Sequence, residues 1–162
     1  MCDCTEKKVI KTDKAPKAIG PYSVATLVNH FVFTSGQIAL DPESGAMVEG
    51  GIEAETRQAL INLKNVIEAA GTTLENVMKT TVFLKDINDF AKMNAVYGEF
   101  FPENSPARSA IQVAALPKGA LVEIEAIAAL DYCECCANGC DCDCDCEEGE
   151  DGCCCCGGDS DK

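Results

Sequence analysis

The sequence predicts an α+β domain in residues 1–130, a mixed sheet with two helices on one face, followed by a separate tail at residues 131–162. Two observations lead to this prediction. Candidate segments along residues 1–130 come in the order strands, helix, strand, helix, strands. After Leu130 the composition changes abruptly, because the tail holds 11 of the 13 cysteines and 11 acidic residues against a single lysine, a net charge of −10 out of −14. The remaining net charge of −4 is ordinary for one domain with its own core.

The first elements of the domain are short strands and turns. Residues 8–11 form a strand candidate, and the β-branched and aromatic runs at 24–28 and 30–34, divided at Asn29, are typical of a hairpin. Residues 41–45 (DPESG) predict a tight turn, because proline presets one backbone angle and glycine takes positive φ without strain.

Residues 52–70 predict the first helix. Their apolar residues recur at helical spacing, and Gly71 stands where a helix C-terminus is expected. The apolar positions are Ile52, Ala59, Leu60, Leu63, Val66, Ile67 and Ala70. Residues 78–84 then predict a strand, since valine, phenylalanine and leucine follow two threonines there.

The second helix is predicted to begin after Asn88 as its N-cap. Its expected buried face consists of Phe90, Met93, Val96, Tyr97 and Phe100. Two more strands are predicted at 108–113 and 121–130. Two helices cover only one face of such a sheet, and the other face carries apolar residues, so we expect the protein to assemble with copies of itself.

Composition also limits the classes of function. Net acidity disfavours nucleic acid as a partner, because phosphate binding relies on clustered lysine and arginine. No apolar run is long enough to span a membrane, and the first residues lack the apolar stretch of a secretory signal, so a cytoplasmic protein is expected. The single histidine, His30, lies away from the candidate site, so acyl-transfer chemistry of the Ser/His/Asp or Cys/His kind is not supported.

Arg108 and Glu123 are the candidate catalytic residues. A guanidinium presents a flat set of N–H donors that suits a small carboxylate, and it keeps its charge at all working pH values. A nearby carboxylate can hold and polarise a water molecule. The pair therefore predicts a hydrolytic site that needs no metal or covalent nucleophile. The alternatives are a surface ion pair for Arg108 and a solvated strand face for Glu123 and Glu125.

Several segments together resemble the Rid (YjgF-type) family, most closely its RidA branch of reactive imine and enamine deaminases. The resemblance runs from about Lys8 to Leu130. The matching segments are residues 19–23 (IGPYS), 34–38 (TSGQI), 79–86 (KTTVFLKD), 106–109 (PARS) and 123–128 (EIEAIA). It implies a chorismate-mutase-like homotrimer with sites at the subunit clefts. The implied reaction is hydrolysis of 2-iminobutanoate and 2-iminopropanoate to 2-oxo acids and ammonia, without a cofactor.

The resemblance also implies roles for individual residues. Arg108 would grip the substrate carboxylate, and Glu123 would hold the attacking water. The other implied substrate-binding residues are Tyr22, Ser35, Gly36 and Asn94. Without the resemblance, Tyr22 could be a core or interface aromatic, Ser35 a strand cap, and Asn94 a solvent-facing residue. Many relatives carry a cysteine where this chain has Ala110, so a cleft thiol is excluded.

The tail predicts a different chemistry. Thiolates at this density favour Zn(II) or Cu(I), and bridging sulfurs let few residues hold several ions. The candidate ligands are Cys133, Cys135, Cys136, Cys140, Cys142, Cys144 and Cys146. The spacing is not that of a zinc finger, so the signal is compositional. The alternative is a disordered acidic extension with incidental or redox-active thiols, because the tail lacks valine, isoleucine and leucine.

Two functions of different classes remain open from the sequence. The first is hydrolytic deamination of small 2-imino acids by a soluble homotrimer that has no membrane partner. The alternative is a trimer that binds small carboxylates, or acts as a chaperone, through the same cleft without turnover. An endoribonuclease activity, assigned to some relatives, is disfavoured by the acidity of the chain.

Overall fold

The computed structural model describes residues 6–130 of the chain. Predictions about the tail, namely its disorder and its metal ligands Cys133, Cys135, Cys136, Cys140, Cys142, Cys144 and Cys146, lie outside the described residues. Within residues 6–130, no helix is long and apolar enough to cross a membrane.

Six strands and two helices make up the described part of the chain. The strands are β1 (Lys8–Ile10), β2 (Ala25–Val28), β3 (Phe31–Thr34), β4 (Val77–Leu84), β5 (Ala107–Gln112) and β6 (Val122–Ala129), and the helices are α1 (Gly51–Ala69) and α2 (Phe90–Phe100). All strands lie in one sheet of order β1-β2-β3-β6-β4-β5. Only the β4–β5 pair is parallel, so the sheet is mixed and the predicted α+β class is confirmed.

The two faces of the sheet differ in what covers them. Along β6, Val122, Ile124, Ala126 and Ala128 are buried, and the residues between them are half-buried. The buried set packs with α1 in the main core, and α2 reaches the same face, where the Tyr97 hydroxyl lies 2.8 Å from Thr80 Oγ1. Both helices therefore cover one face, as predicted; the opposite face is called the open face below.

Helix α1 follows the predicted apolar pattern but also buries polar residues that the pattern did not predict. Asn62 is fully buried, and its Nδ2 donates to the carbonyl oxygens of Ile38 at 3.0 Å and Leu40 at 2.8 Å. Glu55 accepts a hydrogen bond from the backbone N–H of Leu121 at 2.8 Å. These bonds fix the segments before and after the helix to it, and Gly71, with φ of 87°, follows the end of α1 as predicted.

The start of α2 differs from the prediction. Asn88 is not its N-cap, because Ile87–Asp89 form a 3₁₀ turn in which Asp86 accepts from the backbone N–H of Asn88 at 2.9 Å. Phe90 is not part of the buried face, since 38% of it is exposed. Its ring contacts the Arg108 guanidinium instead of the core. Met93, Val96 and Tyr97 are buried as predicted, and Phe100 is partly buried against the core.

The hairpin of β2 and β3 also differs slightly from the prediction. His30 lies in the turn with Asn29, whose φ is 54°, and β3 begins one residue later. Two rings of β3 point to the open face. Phe31 is 40% exposed and pairs with Ala129, while Phe33 is 41% exposed and pairs with Ile127. Within residues 6–130, about 40% of each of these two residues stays exposed, which agrees with an apolar face that has no partner.

Candidate active site

Arg108 lies on β5 and its guanidinium rests against α2. Its Cζ is 4.4 Å from the centroid of the Tyr97 ring and 5.6 Å from that of Phe90. Its Nη2 donates to Asn94 Oδ1 at 2.6 Å. Arg108, Asn94 and Tyr97 border a cleft of about 270 Å³, which we call the Arg108 cleft. Its lining consists of Asn94, Tyr97, Gly98, Phe101, Ser105, Pro106 and Arg108.

No carboxylate neutralises Arg108 within residues 6–130. The ion pairs of the described chain involve Arg57, Lys64 and Lys92, and none involves Arg108. The alternative prediction of a surface ion pair for Arg108 is therefore wrong. Aromatic faces and a neutral amide oxygen hold the guanidinium in place, so its positive charge remains available to an anionic ligand.

Glu123 lies in a second cleft of about 300 Å³, which we call the Glu123 cleft. Three other predicted residues, Tyr22, Ser35 and Gly36, line it as well. The remaining lining residues are Pro16, Lys17, Ile19, Val24, Gln37, Ile38, Leu40 and Pro117. A largely apolar wall with one carboxylate and a few polar groups is the usual composition of a small-molecule site.

The backbone of Gly36 fits directly against the Glu123 side chain. A Cβ added at Gly36 would overlap the carboxylate and lie 2.8 Å from Glu123 Cγ. Beside it, Ser35 Oγ donates to the carbonyl oxygen of Ser23 at 2.7 Å, so its hydroxyl proton is used and its oxygen can still act as an acceptor. The Tyr22 hydroxyl accepts from the backbone N–H of Ile19 at 3.3 Å, and the ring is 49% exposed.

The pKa of Glu123 is raised above the ordinary value for a glutamate. Burial in the cleft is the larger cause, and the negative charge of Glu125, two residues along the same strand, is the smaller one. A carboxylate in this environment is a stronger proton acceptor than an exposed one. It is therefore suited to hold a water molecule and take up its proton.

Arg108 and Glu123 point to opposite faces of the sheet. Residues paired directly across neighbouring strands share a face, and Thr80 pairs with both Arg108 and Ala126. Ala126 belongs to the helix-covered face, and Glu123, three residues earlier on the same strand, points to the open face. Within one chain the structure thus groups Arg108 with Asn94 and groups Glu123 with Tyr22, Ser35 and Gly36. It does not bring the two groups together.

Sequence reasoning predicted Asn94 but missed the contacts that Phe90 and Tyr97 make with Arg108. Phe90, Asn94 and Tyr97 are spaced i, i+4, i+7, and this spacing could have indicated one helix face directed at a common target. Lys17 and Gln37 carried no such signal. Gln37 exchanges backbone hydrogen bonds with Ile124, at 2.8 and 3.0 Å, which brings the segment of Gly36 to Glu123. No group of three or more potential metal ligands occurs within residues 6–130.

Comparison with known proteins gives a consistent result. Residues 12–130 match the family model described as Endoribonuclease L-PSP. The human 2-iminobutanoate/2-iminopropanoate deaminase is 55% identical over 122 residues, which cover 75% of this chain and 89% of that protein. A RutC family protein from Pyrococcus abyssi is also 55% identical over 122 residues, covering 75% of this chain and 96% of its own length.

Solved structures agree with this grouping. The Rid family protein YyfA from Yersinia pestis superposes with a TM-score of 0.74 at 48% identity, covering 77% of this chain and all of that one. The TdcF protein of E. coli, solved with bound serine, gives a TM-score of 0.74 at 43% identity, covering 76% of this chain and 99% of its own. The protein therefore belongs to the Rid family, whose domain the Endoribonuclease L-PSP model describes.

Proposed function

We propose that the protein hydrolyses small reactive 2-imino acids, such as 2-iminobutanoate and 2-iminopropanoate, to 2-oxo acids and ammonia. The observation that carries the proposal is Arg108, a guanidinium at a cleft with no carboxylate partner in residues 6–130. Mammalian relatives that are 54 to 57% identical bear the name 2-iminobutanoate/2-iminopropanoate deaminase.

The proposed site is shared between two copies of the chain. Arg108 and Glu123 point to opposite faces of one sheet, so a site that uses both needs Arg108 from one copy and Glu123 from another. The exposed aromatic pair, Phe31 and Phe33, supports self-association through the open face. A closed ring of three copies would repeat this heterologous contact three times and form three equivalent sites.

The reaction needs modest help from the protein. Arg108 binds the substrate carboxylate, and Glu123 accepts a proton as its water attacks the imine carbon. Starting from the protonated imine, the C=N π pair moves to nitrogen as the C–O bond forms, which gives a neutral carbinolamine. Glu123 then returns its proton to the nitrogen and the C–N bond breaks, so that ammonia leaves with the bonding pair. The hydroxyl proton passes to the departing ammonia as the water oxygen becomes the ketone oxygen. Holding the carboxylate and the water in line can lower the activation free energy by roughly several kcal/mol.

The test couples the protein to a threonine dehydratase, which supplies the imine, and follows release of 2-oxobutanoate. We expect wild type to accelerate release and Arg108→Ala to lose the acceleration. Arg57→Ala is the matched control, because Arg57 is an exposed arginine paired with Glu99 at 2.7 Å, away from both clefts. If wild type and Arg108→Ala are equally inert while wild type binds 2-oxobutanoate and Arg108→Ala does not, the carboxylate-binding alternative replaces the enzyme.

A second proposal concerns the tail, which we infer binds soft metal ions such as Zn(II) or Cu(I). Its support is the set of Cys-x-Cys pairs between Cys133 and Cys146 together with Cys2-x-Cys4 near the other end. The register pairs Lys8 with Leu27, Val28 with Phe31 and Phe31 with Ala129. The chain therefore enters the sheet at Lys8 and leaves it at Ala129 at the same end of the sheet. These two points are three strand spacings, or about 14 Å, apart.

This proposal has a direct test. Protein purified without chelator would be analysed for bound zinc and copper beside a full-length variant in which all tail cysteines are serine. We expect several equivalents of metal in wild type and almost none in the variant. Equal metal content in both would remove the proposal.

We also infer a cytoplasmic location, where reducing conditions keep so many thiols available.

A further inference from the structure

The guanidinium of Arg108 is held by one face of α2. Phe90, Asn94 and Tyr97 follow one another on that face, and each contacts Arg108. The closest aromatic contact is Tyr97, whose ring centroid lies 4.4 Å from Arg108 Cζ. The position of this ring therefore fixes the plane against which the guanidinium lies.

Tyr97 is itself fixed on two sides. Its hydroxyl lies 2.8 Å from Thr80 Oγ1, and both residues are buried. The Phe101 ring packs behind it with the two ring centroids 4.7 Å apart. Thr80 is also the residue directly opposite Arg108 across the β4–β5 pair. Each of the three residues therefore contacts the other two. Arg108 and Thr80 are paired across the strands, Thr80 and Tyr97 share a hydrogen bond, and the Tyr97 ring lies against the Arg108 guanidinium.

We propose that Tyr97 is a positioning residue, whose ring aims Arg108 at the substrate carboxylate without neutralising it. A glutamate or aspartate in place of Tyr97 would also hold the arginine, but it would compete with the ligand for the guanidinium charge. The aromatic ring and the Asn94 oxygen are uncharged, so the orientation is kept and the charge stays available. This inference rests on the proposed carboxylate-binding role of Arg108.

The contact between Tyr97 and Arg108 also sets a selectivity for anions over neutral molecules of the same shape. Tyr97 and Asn94 already hold the guanidinium in the protein without ligand. A carboxylate that binds therefore does not lose affinity to the entropy cost of ordering this side chain. A neutral amide of the same carbon skeleton gains little from this orientation. Disturbing Tyr97 should therefore weaken binding of the acid far more than binding of the amide.

The experiment measures binding by calorimetry to the full-length protein, with 2-oxobutanoate as the acid and 2-oxobutanamide as the neutral control. Three variants are compared with wild type: Tyr97→Phe, Tyr97→Leu and Thr80→Val. We expect Tyr97→Leu to weaken acid binding by about tenfold or more, because the cation–π contact is lost. We expect Tyr97→Phe to retain most of the affinity, since the ring remains, and Thr80→Val to resemble it.

The pattern across the variants decides between positioning and general structure. Loss of the acid with little change in the amide, and recovery with phenylalanine, supports the proposal. A Tyr97→Leu protein that binds the acid within twofold of wild type, or that loses acid and amide equally, overturns it. Wild type that binds no acid at all would instead overturn the proposed role of Arg108, so the two failures are distinguishable.

Discussion

Gly36 shows how a single residue without a side chain can shape a site. Its Cα faces the Glu123 carboxylate so closely that any Cβ would occupy the same space. No positive φ is required at this position, so the reason for glycine is the close approach of the two groups and not the backbone conformation. The residue therefore sets where the carboxylate, and any water bound to it, can lie.

We predict that Gly36→Ala leaves the fold intact and removes most of the activity. The three atoms nearest to the added methyl all belong to the Glu123 side chain, from Cγ outward, so this side chain has to turn away while the backbone stays in place. A displacement of about 1 Å can cost on the order of a hundredfold in rate. The coupled deamination assay, run beside thermal unfolding, checks this; a variant as active as wild type would contradict the proposed position of the water.

The pH dependence of activity tests the raised pKa of Glu123. The group acts as a carboxylate, so the rate should fall as the pH drops through its pKa. Burial and then the charge of Glu125 raise that pKa. We predict that Glu125→Gln lowers the pKa of Glu123 and moves the acid limb of kcat/KM to lower pH. Glu75→Gln, at an exposed acid outside both clefts, is the control. If the acid limb of kcat/KM stays in place or moves to higher pH in Glu125→Gln, the charge of Glu125 does not raise the pKa of Glu123.

At the residue level the sequence pointed to the right groups but not to their arrangement. Arg108 and Glu123 were predicted as one site from their chemistry and from the family resemblance. Their relation across the sheet depends on strand order, since β6 lies beside β4, and β4 lies between β6 and β5. Sequence spacing does not reveal that order. It also does not reveal that α2 packs beside β5, so the contact of Phe90 and Tyr97 with Arg108 was missed.

At the level of elements, α1 does more than fill the core. Its Asn62 reaches across to the carbonyl oxygens of Ile38 and Leu40, both of which line the Glu123 cleft. Periodicity predicted the apolar face of this helix correctly, because burial of that face is a local property of the sequence. It could not predict a buried asparagine whose partners are more than 20 residues away.

We predict that Asn62→Leu destabilises the protein by about 2 kcal/mol or more, because the Leu40 carbonyl loses its side-chain donor and the Ile38 carbonyl keeps only the backbone N–H of Leu40. The same change should loosen the cleft wall and raise KM. Asn65→Leu is the matched control, since Asn65 lies on the same helix and its side-chain nitrogen donates to the Lys14 carbonyl oxygen at 2.7 Å in an exposed bond. Denaturant unfolding of both variants measures the effect, and equal stability of Asn62→Leu and wild type would be inconsistent with this role.

The start of α2 shows why element boundaries are harder to predict than element types. Asn88 has the right chemistry for a cap, but it lies inside the 3₁₀ turn Ile87–Asp89. Asp86 caps this turn by accepting the backbone N–H of Asn88. The helix itself was predicted from Met93, Val96 and Tyr97, which are buried. Phe90 fits the same spacing, yet it lies at the first turn of the helix, where it is 38% exposed and contacts the Arg108 guanidinium.

At the level of the whole molecule, the open face is the feature that the single chain leaves unexplained. It carries Phe31 and Phe33, and on its β6 strand it carries Glu123. An assembly through this face would cover the aromatic rings and bring a second copy next to the Glu123 cleft. The same contact would then account for both the apolar surface and the divided site.

We predict that Phe33→Asp lowers the mass of the assembly in solution, because a buried carboxylate opposes packing of the open face. Ile61→Asp is the control, since Ile61 is 38% exposed on α1, within the helix layer on the opposite side of the sheet. Sedimentation of both variants beside wild type provides the measurement. An unchanged mass for Phe33→Asp would place the contact elsewhere.

The most direct test of a shared site is subunit mixing between two inactive variants, Arg108→Ala and Glu123→Gln. When the two are unfolded, mixed in equal amounts and refolded together, a site is complete wherever an intact Arg108 meets an intact Glu123 from its neighbour. Random assembly of a symmetric ring predicts recovery of about one quarter of wild-type activity. Mixing either variant with the Arg108→Ala/Glu123→Gln double variant should recover none. If the first mixture also stays inactive, although the subunits have exchanged, the site does not combine residues from two copies and the account is contradicted.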